Sequence, residues 1–215
     1  FDEYCKWTNE PKHLINPVRP VIMFDDWFSE FVSKTEWWKV PLFWVPMMLV
    51  QLYLVHTTLV MTCYLFVLGL LMWSFMEYML HRFMFHSEDK WLPSGNFAMC
   101  AHFLFHGIHH AFPMDKLRLV FPPHMALILY FAVFRPLYSA IVPEYYYHGI
   151  MAGTMFGYMS YDMIHYWTHH YEINCNHLKS MKKYHMIHHY RDGEAGFGVS
   201  SKIWDRVFGT LLPGY

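Results

Sequence analysis

The chain alternates between long apolar tracts and histidine-rich polar segments, and this alternation predicts its architecture. Between Leu42 and Leu80 the only charged residue is Glu77. A tract of that length accommodates two membrane spans of roughly 20 residues each. The polar triplet His56-Thr57-Thr58 near its middle predicts the turn of a helical hairpin. A second apolar pair runs from about Pro123 to Phe134 and from about Tyr146 to Ile164, joined by RPLYSAIVPEY, whose prolines predict a loop or a broken helix. The first arm of this pair is short, long enough only for a partial crossing.

Each hairpin returns the chain to the side it left. The N-terminal segment, the histidine-rich segments 81–118 and 165–189, and the C-terminus are therefore expected on one face. Residues 1–39 are polar, punctuated by Pro11, Pro17 and Pro20, and lead into EWWKVP, where Trp37 and Trp38 suit a membrane interface. Lys and Arg supply a check on orientation, because they accumulate in short cytoplasmic segments. Five lie in residues 1–39, four in 81–118, six in 179–206, and only Arg135 in the loop of the second hairpin, so the shared face is expected to be cytosolic. The expected fold is all-α: a polytopic membrane protein with two transmembrane helical hairpins, about four spans, under a cytosolic helical cap. Residues 1–41 form an N-terminal cytosolic or interfacial segment, and residues 42–215 the membrane domain with its histidine-rich cap.

Composition supports this picture. Apolar residues make up 55% of the chain and charged ones 15%, below the roughly 25% of soluble domains. A net charge of -1 and a pI near 7.1 argue against a nucleic-acid binder, which would carry a basic stripe. Cys5, Cys63, Cys100 and Cys175 form no CxxC pair, so neither a disulfide framework nor a thiolate zinc site is indicated, and buried reduced thiols are expected. The first residue is Phe1, not Met, so an upstream segment is expected to be missing.

Seventeen histidines in 215 residues demand a physical cause. Ten fall into four clusters: His81 and His86; His106, His109 and His110; His165 and His169; His185, His188 and His189. On a helix, positions i, i+3 and i+4 share a face, so both HxxHH triplets and the HxxxH pair are expected to present their imidazoles as units. The pair His81 and His86 differs, because five residues turn a regular helix roughly 140° off alignment. Its convergence requires a helix end or a bulge near Arg82 to Phe85. Imidazole is the commonest metal ligand, and burying ten unpartnered rings is costly. One metal accepts about four to six ligands, so ten imply two metals with open positions, a combination suited to electron chemistry. The set lacks the Glu-x-x-His pattern of soluble di-iron bundles and the HExxH of zinc proteases. Glu77 and Asp162 are spaced to accept the free N–H of a ligating imidazole, and His102 is placed as a hydrogen-bonding neighbour of the metal site. No catalytic residue beyond the metal ligands is indicated. His13, His56, His124, His148, His170 and His177 fit no cluster and are assigned ordinary roles.

The ordered motifs HxxxxH, HxxHH, HxxxH and HxxHH on two hairpins resemble the fatty acid hydroxylase superfamily of membrane di-iron oxygenases. EYMLHRFMFH, HFLFHGIHHAFPMDKLRLVFPP, YDMIHYWTHH, KKYHMIHHY and GFGVSSKIWDRVFGT look like the fatty acid 2-hydroxylases that act on sphingolipid acyl chains, and NPVRPVIMF and KTEWWKVP extend the similarity upstream. The resemblance implies that His81, His86, His106, His109, His110, His165, His169, His185, His188 and His189 hold two iron ions, for which zinc can substitute in purified protein. It further implies an endoplasmic reticulum enzyme that hydroxylates C2 of very-long-chain acyl groups, free or in ceramide. O₂ is the co-substrate, with electrons from NADPH through cytochrome b5 and its reductase. Many relatives carry a fused cytochrome b5 domain; this sequence begins about where such a domain would end, so the expectation is either that one precedes it or that a separate donor serves it.

Three other readings remain open at this point. A sterol C-4 methyl oxidase or sterol desaturase would share the metal site but need a broad, rigid pocket. A metal transporter would place its ligands at mid-membrane, usually with carboxylates, whereas these histidines flank the apolar tracts. A membrane protein with structural zinc and no turnover would need the same ligands.

Overall fold

The computed structural model describes residues 1–13, 21–88 and 90–215. Pro17, Pro20 and the start of NPVRPVIMF lie outside the described residues. Within them all regular structure is helical. Two short helices, α1 (Asp2–Thr8) and α2 (Trp27–Val32), precede α3 (Lys39–Tyr53) and α4 (Leu59–Met79). Thr58 ends the turn expected at residues 56–58, its hydroxyl accepting from the Met61 N–H at 3.3 Å to cap α4. With 15 residues, α3 is shorter than the roughly 20 of a full perpendicular span.

The histidine-rich segment that follows holds α5 (Asn96–His102) and α6 (Ile108–Ala111). The second apolar pair differs from its expected form. Helix α7 (Pro123–Leu129) passes through a π turn at Tyr130–Phe134 into α8 (Arg135–Ile141), so the helical stretch extends through Arg135-Pro136 and ends only at Ile141. Pro136 sits in the first turn of α8, directly after the widened turn, where a missing N–H is tolerated. The connection shrinks to Val142-Pro143, and α9 (Glu144–His170) begins at once. Helices α10 (Asn176–Tyr190) and α11 (Ile203–Phe208) complete the chain.

Helix α9 is the central strut. Both α3 and α4 pack mainly against it, not against each other, so the first hairpin is splayed around the second arm of the other. Among the described residues two helical stretches, Leu59–Phe85 and Pro123–Ile141, are long and apolar enough to cross a membrane. Leu59, Val60, Tyr64, Val67, Leu71 and Phe75 line the outer side of α4 and are exposed. So continuous an apolar surface suits lipid rather than water. Cys63 lies on this helix, and it, Cys100 and Cys175 are exposed rather than buried as expected.

The α4–α9 contact depends on glycine. A Cβ built on Gly153 would stand 1.9 Å from the Phe66 carbonyl oxygen, and one on Gly69 would stand 1.9 Å from that of Ile150. Gly149, Gly153 and Gly157 recur every fourth residue on α9, a small-residue stripe that lets two backbones meet.

The N-terminal residues do not form a separate layer. Arg118 donates to both Glu30 oxygens at 2.9 Å, to Asp115 at 2.8 Å and to the Val21 carbonyl at 2.9 Å, and the Thr35 N–H donates to Leu117 at 2.8 Å. These bonds bind residues 21–35 to the loop that leads out of the histidine-rich segment. Trp37 stacks on Tyr166 of α9 while Trp38 stays exposed.

Gly153→Leu should force α4 and α9 apart and cost more than the about 1–3 kcal/mol typical of overpacking. Thermal unfolding in detergent micelles checks this, with Gly95→Ala as the control, because a Cβ there meets nothing within 4 Å and should leave the midpoint unchanged.

Candidate metal centre

The end of α4 explains how a pair five residues apart converges. Residues Leu80–Phe85 form a π turn, and the His86 N–H donates to the His81 carbonyl at 3.1 Å. In such a turn i and i+5 stand one above the other, as i and i+4 do in an α-helix. The expected bulge is present, and the two rings lie 5.0 Å apart. A second π turn, Phe103–Gly107, carries His106 into α6 with His109 and His110. The last turns of α9 supply His165 and His169, and α10 supplies His185, His188 and His189.

These side chains gather into two buried groups. One contains His109, His165, His169, His185 and His189, with ligand atoms all within 4.8 Å of one another. The other contains His81, His86, His106 and His110 under the same limit, and His188 joins its edge with Nε2 3.0 Å from that of His86. The triplets therefore do not act as units. Each HxxHH splits: the i, i+4 pair His106/His110 serves one group and His109 the other, while His185/His189 serves the group of His109 and His188 crosses over. Each group consequently receives two stacked pairs from two helical segments and one ring from a third.

The ring nitrogens are arranged so that they could hold metal ions. His81 Nδ1 lies 2.5 Å from the Phe197 carbonyl and His188 Nδ1 lies 2.8 Å from that of Ala195, so both carry their proton there and turn a bare Nε2 inward. The Nε2 atoms of His81, His106, His110 and His165, and both ring nitrogens of His109 and His169, are buried without a hydrogen-bond partner. Orphaned nitrogens at this density are costly unless something shared satisfies them. The His185 and His189 Nε2 atoms are 3.0 Å apart, the spacing of neighbouring ligands about 2.1 Å from one ion. An all-imidazole donor set suits Zn, Fe, Cu or Ni and does not suit Mg or Ca. The residues present thus fit a pair of transition-metal ions.

Electrostatics keeps the rings ready. Burial first, then repulsion from neighbouring rings, drives His106, His109, His110, His185 and His189 well below the ordinary imidazole value. Burial, with His86 alongside, lowers His188 to about 3. All six rings are therefore neutral near pH 7, with lone pairs free.

The carboxylates anticipated beside the imidazoles lie elsewhere. Glu77 accepts from the Val199 N–H at 3.1 Å and from the Ser200 N–H and hydroxyl at 2.8 and 2.6 Å. Asp205 accepts from the Phe197 and Gly198 N–H groups at 2.9 and 2.8 Å. The two acids hold from behind a loop whose carbonyls, at Ala195 and Phe197, orient His188 and His81. Glu77 thus reaches the site through the loop, not by touching an imidazole. Asp162 faces Tyr158 and the Phe121 backbone. His102 lies outside both groups, with Nε2 2.7 Å from the Phe85 carbonyl and Nδ1 2.6 Å from the Tyr4 hydroxyl. Among the described residues, a carboxylate that does approach these rings is Glu88, 3.5 Å from His86 Nδ1 and 2.9 Å from His102 Nε2. Burial opposes its charge, but the two imidazoles hold its carboxyl below the usual range. Its position two residues past His86 was the available signal in the sequence. Of the unclustered histidines, His148 bonds Gln51 at 2.8 Å and His177 the Ser200 carbonyl at 3.0 Å.

Acid should disassemble this site. The unfolded chain takes up protons at its imidazoles near 6.5, whereas folded His188 resists until about 3. Stability of the metal-free protein should therefore be full above about 6.5 and fall steadily as pH drops toward 3. Denaturant titrations across that window check the slope, and metal retained through dialysis should decline in the same direction.

The fatty acid hydroxylase family model matches residues 66–210. The ceramide very long chain fatty acid hydroxylase of Saccharomyces cerevisiae is 42% identical over 98% of this chain and 54% of its own length, so the chain spans about half of that relative. A dihydroceramide fatty acyl 2-hydroxylase of Arabidopsis thaliana is 38% identical over 99% of this chain and 87% of its own. The fatty acid 2-hydroxylase of Homo sapiens is 35% identical over 99% and 61%. A solved structure described as full-length scs7p, with only the hydroxylase domain visible, superposes with a TM-score of 0.90 at 39% identity, covering 98% of this chain and 78% of that one. With two buried imidazole groups and a family match across most of its length, the chain belongs to the fatty acid hydroxylase family.

Proposed function

We propose that this protein is a membrane monooxygenase that hydroxylates C2 of very-long-chain acyl groups, in ceramide or in their fatty acid precursors. The observation that carries the reading is the pair of buried imidazole groups, five rings each, in a chain of this family. His109, His165, His169, His185 and His189 would hold one iron ion and His81, His86, His106, His110 and His188 the other, with zinc able to replace iron in purified protein. Bound iron would supply the O₂ activation that an unactivated C–H bond demands and that no side chain can provide. The chain's own contribution is to keep imidazole lone pairs free of protons, fix ring orientation through the Ala195 and Phe197 carbonyls, and exclude water by burial. One oxygen atom enters the substrate and the other leaves as water, so two electrons are required, assigned to NADPH through cytochrome b5 reductase and cytochrome b5.

In this reading α3, α4, the α7–α8 stretch and α9 form four passes of an endoplasmic reticulum protein. The imidazole groups and both ends of the sequence lie at the cytosolic face, as the distribution of Lys and Arg supports. Residues 1–41 would lie along that face, and residues 42–215 would form the membrane domain with its cap. The acyl head would sit beneath the cap, with the tail running down among the apolar helices. Regiochemistry then follows from position, because an oxidant of this power attacks whichever carbon is held nearest.

His109→Ala and His188→Ala should each abolish hydroxylation while leaving membrane insertion intact, since insertion depends on the apolar helices. His102→Ala should retain part of the activity, because its ring lies outside both groups. Membranes containing the protein, cytochrome b5 and its reductase should place ¹⁸O from ¹⁸O₂ at C2 of sphingolipid acyl chains and leave 4-methyl sterols unlabelled. Label in the sterol, or at carbons far from the carboxyl end, would overturn the substrate assignment.

A further inference from the structure

The N-terminal helix α1 lies far upstream of the family-matched residues 66–210, yet it is seated directly on the histidine-rich segment. Thr8 is fully buried, and a Cβ on Gly107 would come within 2.8 Å of its methyl group. Trp7 packs against Phe103 and Phe112, and the Lys12 N–H donates to the Ala111 carbonyl at 2.7 Å.

From this helix two polar side chains reach inward. The Tyr4 hydroxyl lies 2.6 Å from His102 Nδ1 and 3.0 Å from the Met99 carbonyl. Asn9 Nδ2 donates to Glu88 Oε1 at 3.3 Å. At its far side His102 turns Nε2 toward the Phe85 carbonyl at 2.7 Å, with Glu88 Oε2 beside it at 2.9 Å. Held at both nitrogens, the His102 ring cannot rotate without losing a partner. It pins the last residue of the π turn and one oxygen of Glu88, while Asn9 holds the other. That second oxygen stands 3.5 Å from His86 Nδ1.

His86 is thereby set apart from its neighbours. His81 and His188 are backed by neutral backbone carbonyls, whereas His86 is backed by a carboxylate that is itself 2% exposed. A carboxylate behind an imidazole fixes the proton on the near nitrogen and makes the far one a stronger donor. We propose that α1 is a positioning element of the second imidazole group: Tyr4 and Asn9, acting through His102 and Glu88, hold His86 with Nε2 turned toward its partners. The inference rests on the two-ion reading above.

The test is metal binding by the purified full chain, with no turnover required. The protein is stripped, reloaded with Co²⁺ alone, and titrated against a competing chelator while the ligand-field spectrum is followed. Wild type should take up two ions. Glu88→Ala should weaken one of them about 10–100-fold and the other by less than about threefold, with a shift in only one component of the spectrum. Tyr4→Phe and Asn9→Ala should weaken the same ion several-fold, and Glu88→Gln, which keeps an acceptor of the same shape, should recover part of the loss. Equal weakening of both ions, or unchanged affinity in Tyr4→Phe and Glu88→Gln, would overturn the role assigned to α1. Fewer than two ions in wild type would overturn the two-ion reading itself, and with it this inference.

Discussion

Everything in this molecule answers to the cost of burying imidazole nitrogens that have no hydrogen-bond partner. A lone ring in a protein interior settles that cost with a neighbouring hydroxyl or carbonyl. Here ten rings occupy one region, and most of their inward-facing nitrogens meet only one another. Such an arrangement is unstable by itself and becomes favourable when ions are shared among the rings. The site therefore explains the outward-facing bonds: every carbonyl or carboxylate that backs a ring also dictates which nitrogen is left bare.

The packing of the apolar helices sets where those rings can stand. His81 follows α4 in the π turn that continues it, and His165 and His169 lie in the last turns of α9, so the relative height of these two helices fixes the distance between parts of both groups. Gly69 and Gly153 put that height under backbone control, because each lies against a carbonyl of the opposite helix and leaves no room to slide. At the other boundary, Glu77 and Asp205 hold the loop 195–200 by its amide groups and so aim its carbonyls at His81 and His188. The two carboxylates never touch a ring, but ring orientation depends on them.

Much of this was legible in the sequence. Apolar tract lengths gave the helical class and the turn at His56–Thr58, and histidine spacing gave the ten side chains that gather and the need for a bulge before His86. Other features were illegible for identifiable reasons. The loop or broken helix expected over RPLYSAIVPEY shrank to Val142-Pro143, because Pro136 sits in the first turn of α8 just after a π turn, where its missing N–H is tolerated. Periodicity treated each HxxHH as a single claw, since it describes one helix face and cannot show that two groups lie on either side of that face. Glu77 was placed near His81 by spacing, but a loop more than a hundred residues later captured it first. Glu88 sits in a turn, where no periodicity points to a target, and Tyr4 meets His102 across ninety-eight positions.

The π turn at Leu80–Phe85 has a consequence for how the chain can vary in length. It contains, in effect, one residue more than the α turn it replaces, and that surplus is confined to the segment between two rings. Removing one residue from Arg82–Phe85 would let the helix close with ordinary i→i+4 bonds and would still stack the two imidazoles. The exposed apolar stripe of α4 lies upstream and would keep its phase. HxxxxH on a π turn and HxxxH on an α turn are thus two spellings of one stacked pair of imidazoles.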